Sequence, residues 1–181
     1  MSKTNAAAAR ALTSSSHFEL FGLAPAFSLD RDSLERAYRD IQSRVHPDRF
    51  AASGDAERRA SLQWTTRVNE AYRALRNPVQ RAKHLLELHG VDVAFETNTQ
   101  MPTDFLLQQL DLREELDRAK AKKDARLLDA LRERLRADKE SIEGKLEALI
   151  DRGHDYAGAV DEVRKLMFLE KVESEIDQAY E

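Results

Sequence analysis

The sequence contains no cysteine in its 181 residues. That excludes disulfides, thiolate nucleophiles and thiolate metal sites, and it fits a reducing compartment. Aromatic residues make up only 7%, with 6 Gly and 4 Pro. So little aromatic and turn-forming material suits an all-α chain better than a sandwich or a barrel. No apolar run approaches the roughly 20 residues of a membrane span, so no membrane association is expected. Residues 1–16, MSKTNAAAARALTSSS, hold no acid and no apolar core for a secretory signal. They are expected to form a disordered tail, although a transit peptide has a similar composition. A strong excess of positive charge is missing too. Residues 17–90 carry 12 Lys/Arg against 10 Asp/Glu, and residues 91–181 carry 15 against 23, a balance of -8. Neither half is basic enough to make nucleic acid the default partner.

What is present is helical periodicity. Phe18 and Phe21 mark a short helix over 17–21, which Gly22 and Pro25 end. A second helix starts near Asp30 or Asp32, where Asp32 to Glu35 has capping-box spacing. Leu34, Ala37, Tyr38, Ile41 and Val45 give it one apolar face, with Arg36, Arg39 and Arg44 off that stripe. The helix cannot run unperturbed through His46, because Pro47 disfavours helical backbone in the residue before it. A loop is expected from 46 to about 55, and a third helix over 56–76 with Val68, Ala71, Tyr72 and Leu75 inward. Asn77-Pro78 starts a fourth helix, which Gly90 ends. The periodicity lapses over 91–103, the expected linker. Three helices then follow over 104–121, 124–151 and 155–180. The spacing of Leu128, Leu131, Leu135, Ile142, Leu146 and Leu149 forms a coiled-coil-like seam. Short turns between amphipathic helices predict an antiparallel bundle and a monomer; a dimer through the seam is the alternative.

Two features exceed what packing requires. The first is His46-Pro47-Asp48. Asp48 only accepts hydrogen bonds when ionised, His46 can donate or accept, and Pro47 stiffens the turn between them. Rigid polar groups on a tight loop make a good recognition device, because binding them orders little. Read alone, the tripeptide is ordinary turn chemistry. An acid/base pair of His46 and Asp48 in a hydrolase is the rival, but no nucleophile, oxyanion hole or phosphate loop accompanies it. Among His17, His46, His84, His89 and His154 only His84 and His89 come near metal-ligand spacing, and five residues apart they do not share a helical face, so neither metal nor cofactor is expected.

The second feature is a helical wheel over 105–119. With Phe105 at zero, Leu112, Leu116 and Ala119 fall within about 40° and suffice for a core. Leu106 and Leu110 fall at about 100° and 140°, and Leu107 at about 200°. Asp111, Glu114 and Arg118 share that opposite arc. The leucines either pack on the fourth helix and linker or form an apolar contact surface with a charged rim. Leu166-Met167-Phe168-Leu169 is apolar on all sides, so Phe168 could complete such a surface.

In order and spacing, the short first helix, the arginine-bearing second helix, His46-Pro47-Asp48 and Asn69-Glu70-Ala71-Tyr72-Arg73-Ala74-Leu75-Arg76-Asn77-Pro78 resemble a J-domain. Phe105 to Leu116 and Val163 to Leu169, with Arg81-Ala82 and Leu85 to Gly90, are similar to the HscB family, the J-domain co-chaperones of iron-sulfur cluster assembly. The resemblance covers about 17–181. It implies a J-domain with its fourth helix over 17–90 and a three-helix bundle over 104–181. It also implies that His46, Pro47 and Asp48, with Arg36, Arg39 and Arg44, contact a DnaK-type chaperone (HscA) and stimulate its ATPase. Leu106, Leu107, Leu110, Asp111, Glu114 and Phe168 would bind the cluster scaffold protein (IscU). Arg49 stands where the family usually has Lys, and Arg118 where an acid can occur. Eukaryotic members can carry a cysteine-rich metal site, which the lack of cysteine sets aside in favour of a bacterial, cytoplasmic member over a mitochondrial one. A general J-domain co-chaperone with another client is the alternative.

Overall fold

The computed structural model describes residues 16–50, 54–93 and 101–180, and every regular element among them is helical. The expected tail falls almost wholly outside these residues, as do 51–53 and 94–100. The chain divides into two compact units, Met1–Leu88 and His89–Glu181.

The first unit contains α1 (His17–Leu20), α2 (Arg31–Val45), α3 (Asp55–Arg76) and α4 (Pro78–Leu88). A capping box starts α1: the Ser16 hydroxyl accepts from the Glu19 amide at 3.2 Å, and the Glu19 carboxylate accepts from the Ser16 amide at 3.1 Å. No such box forms at Asp32. Asp30 caps α2 instead, accepting from the Asp32 amide at 3.1 Å and from the Ser33 hydroxyl. Asn77 caps α4 as its residue type dictates, accepting from the Gln80 amide at 2.8 Å. α2 and α3 form a hairpin whose Tyr38 and Tyr72 rings stack at 4.1 Å, with the Tyr38 hydroxyl donating to Asn69 at 2.9 Å. α1 and α4 both pack on α3. Phe18, Leu34, Val68, Leu75, Leu85 and Leu86 are fully enclosed between them. Arg81 is buried with them, donating to the carbonyls of Phe27 at 2.8 Å and Leu75 at 2.6 Å. Those bonds offset the cost of enclosing a charge.

The second unit is a bundle of α5 (Thr103–Lys122), α6 (Ala125–Glu147) and α7 (Tyr156–Ala179). Asp124 and Asp155 cap α6 and α7 through side-chain bonds to the Leu127 and Gly158 amides, at 3.1 and 2.8 Å. Ion pairs fix the directions: Arg134–Glu115 and Lys139–Glu173 run between antiparallel neighbours, whereas Arg113–Glu175 joins the parallel pair α5 and α7. A π-helical turn, Ala148–Arg152, shifts the end of the leucine seam, so Ile150 is buried where Leu149 was expected. The division at Leu88 also moves residues 89–93 out of the first unit. His89 stacks on Tyr156 at 3.6 Å, and the Val93 carbonyl accepts from Arg164 at 3.0 and 2.8 Å.

Candidate functional site

In the first unit, the turn after α2 is held from below. The Val45 carbonyl, one of the unpaired groups that end a helix, accepts from the Ser61 hydroxyl at 2.7 Å and from the Thr65 hydroxyl at 3.3 Å. Both donors stand on α3, so the C-terminus of α2 is clamped to its partner helix. His46 then takes φ -57 and ψ 131, the extended backbone that the following proline demands. Pro47–Phe50 forms one 3-10 turn rather than an open loop. The Asp48 amide donates to His46 Nδ1 at 3.3 Å, and Asp48 Oδ2 lies 3.5 Å from the same nitrogen. With Nδ1 accepting, the neutral imidazole carries its proton on Nε2. Both side chains remain well exposed. The geometry therefore presents a donor and a carboxylate in fixed relation.

Arg36, Arg39 and Arg44 are exposed, but each meets an acid: Asp30 at 3.7 Å, Glu35 at 2.9 Å and Asp40 at 2.9 Å. The face of α2 is thus less positive than three arginines suggest. Exposed pairs of this kind are worth little and exchange readily for an incoming carboxylate. Glu35 also accepts from the Tyr72 hydroxyl, and this bond with the Arg39 pair holds its carboxyl below the usual range. The hydroxyl itself is pushed up by the same contact.

The second surface lies on α5. Phe105, Leu112, Leu116 and Ala119 are buried, as the wheel predicts, while Leu106, Leu107 and Leu110 stand 46%, 58% and 55% exposed. Asp111 and Glu114 are exposed beside them. Phe168 departs from expectation: it is only 8% exposed and meets Phe105 edge-on at 5.7 Å. The reason is the position of α7, which packs against both α5 and α6. Its buried arc is wide enough to enclose Leu166, Phe168 and Leu169 together. Arg113 covers the Phe168 ring, 5.7 Å from its centre, and pairs with Glu175 at 3.4 Å. The wheel places Arg113 at about 80°, between the core stripe and Leu106. Phe168 therefore lies at the edge of the leucine surface, under an arginine.

Sequence reasoning passed over the Ser61–Val45 clamp, Arg113 and Arg164. A hydroxyl bonding a helix end 16 residues away has no sequence periodicity, and neither has an arginine that closes over a ring on another helix. Among the described residues no group of three or more His, Asp or Glu side chains could hold a metal ion. No helix there is long and apolar enough to cross a membrane.

The model of a family described as the HSCB C-terminal oligomerisation domain matches residues 101–177. A Burkholderia thailandensis protein, "Co-chaperone protein HscB homolog", is 52% identical over 89% of this chain and 91% of its own length. Among solved structures, the chaperone HscB from Vibrio cholerae superposes with a TM-score of 0.79 at 32% identity, covering 92% of this chain and 98% of its own. The human co-chaperone protein HscB does so with a TM-score of 0.85 at 24% identity, over 92% and 82% of the two chains.

Proposed function

The chain belongs to the HscB family of co-chaperones, and from that premise we propose that it couples an iron-sulfur scaffold protein to a DnaK-type chaperone. The first unit has the J-domain arrangement of helices. Its His46-Pro47-Asp48 turn, with Arg36, Arg39 and Arg44 alongside, contacts an HscA-type ATPase and stimulates ATP hydrolysis. The exchangeable arginine pairs suit an acidic patch on that partner and speed encounter. The second unit holds an IscU-type scaffold through Leu106, Leu107 and Leu110, with Asp111 and Glu114 at the rim and Phe168 at the edge. One chain holding both partners raises the scaffold's effective concentration at the chaperone. The protein itself performs no chemistry. Hydrolysis on the chaperone traps the scaffold and promotes release of its cluster to acceptors, in the bacterial cytoplasm.

The observation that carries this reading is the surplus of the two surfaces. Three leucines on one helix stand about half exposed while the opposite stripe already fills the core. An apolar surface of that kind on a well-packed bundle is characteristic of a protein contact. Replacing all three by alanine should weaken scaffold binding in calorimetry at least a hundredfold, as for central anchors of an interface, with helicity retained. The His46→Gln variant should abolish stimulation of the chaperone ATPase while leaving scaffold binding intact. Persistent stimulation would overturn the role of the turn. The matching family's description names oligomerisation, so a second copy of this chain is the other occupant to test. Sedimentation should return the mass of a monomer, and a leucine-dependent dimer would reassign the surface.

A further inference from the structure

Arg113 and Glu175 join α5 to α7, and Arg113 also lies over a ring of the core. Arg113 sits seven residues beyond Leu106 and three beyond Leu110, so the three share one side of α5. Its guanidinium lies 5.7 Å from the centre of the Phe168 ring. Both Glu175 oxygens lie 3.4 Å from Arg113 Nη1, and Lys120 Nζ approaches the same carboxylate at 3.8 Å. The Phe168 ring meets Phe105 edge-on at 5.7 Å, and the Arg113 guanidinium lies over it. The Arg113 side chain is itself nearly half exposed. It can swing outward without disturbing the core.

We propose that Arg113, held down by Glu175, is a latch that closes Phe168 in the free protein and sets how much apolar surface the bundle offers its partner. This deepens the scaffold-binding reading and rests on it. With the latch closed, the apolar surface consists of Leu106, Leu107 and Leu110. With Arg113 turned away, the edge of Phe168 joins Leu106 and Leu110 in one continuous surface. A partner that displaces the guanidinium from the ring meets the larger surface and bears the cost of that displacement. A partner that does not displace it meets the smaller surface. Arg113 is therefore a positioning residue that discriminates between partners through Phe168.

The decisive variant is Arg113→Ala, read by calorimetric titration with a purified IscU-type scaffold. Affinity should rise about fivefold, the worth of a few tens of Å² of additional apolar burial. Glu175→Gln, which frees the guanidinium without removing it, should raise affinity less. In the background of Phe168→Leu the gain from Arg113→Ala should vanish, because the gain passes through the ring. Unchanged or weaker binding of Arg113→Ala would overturn the latch; the weaker result would make Arg113 a direct contact. A measurement without the partner separates this failure from failure of the site. With 4-fluorophenylalanine at position 168, the difference in ¹⁹F shift between H₂O and D₂O should grow on Arg113→Ala. No growth refutes the latch even if the leucines prove to be the scaffold site. Undiminished scaffold binding by the triple leucine variant refutes the site instead, whatever the fluorine shift does.

Discussion

The clamp under the His46 turn can be tested by removing its donors singly and together. Ser61 is almost fully buried, and its hydroxyl bonds the Val45 carbonyl at 2.7 Å; Thr65 adds a longer bond at 3.3 Å. A neutral hydrogen bond contributes about 1 kcal/mol net, and a buried carbonyl left with no donor costs about 1–3 kcal/mol. Ser61→Ala keeps the Thr65 bond, so it should cost about 1 kcal/mol. Ser61→Ala with Thr65→Val leaves the carbonyl unpaired and should cost about 2–3 kcal/mol. Trp64 is the single tryptophan and lies on α3 between the two donors, so its fluorescence follows the first unit alone during urea unfolding. Single and double variants should lower the urea midpoint in that order with the slope unchanged. The double variant should also need a severalfold higher concentration for half-maximal stimulation of the chaperone ATPase, because a less rigid turn must be ordered on binding. Stability of Ser61→Ala within about 0.3 kcal/mol of the parent would refute the reasoning, since a bond of that value is too weak to position anything.

Further outcomes are expected. Burial holds the imidazole of His84 below its usual range, and burial with the nearby charge of His84 does the same for His17; the rings stack at 4.2 Å, and the His17 amide donates to His84 Nε2 at 3.1 Å. Both rings bind fewer protons folded than unfolded. Stability of the first unit should therefore be flat above about pH 6.5 and fall as pH drops below it. Urea unfolding followed by Trp64 at pH 7.5 and 5.5 reads this, and His84→Gln, which keeps an acceptor for the His17 amide, should flatten the profile. Arg164→Met leaves the Val93 carbonyl without its two guanidinium bonds and should cost the second unit about 2–3 kcal/mol in thermal unfolding. Leu135→Ala removes a fully enclosed side chain from the bundle seam and should cost about 2–5 kcal/mol, with the Trp64 transition unmoved.

The sequence by itself determined which stretches are helical, because apolar spacing at 3.6 residues and residues such as Asn77 act within a few positions of each other. It also separated the two faces of α5: Phe105, Leu112 and Leu116 from Leu106, Leu107 and Leu110 is a matter of angle about one axis. It located the His46 turn for the same local reason, since proline restricts the residue before it. Tertiary structure decided what depends on a second element. Whether Phe168 is open or closed depends on where α7 packs and on what Arg113 does above it. The Val45 carbonyl finds Ser61 only because α2 and α3 fold back on each other. Residues 89–93 join the bundle because Arg164, some seventy residues later, bonds the Val93 carbonyl. The pairing of Arg36, Arg39 and Arg44 with neighbouring acids lay within reach of the sequence for the two pairs spaced four apart. It took the folded helix to show that the charge they offer a partner is shared in advance.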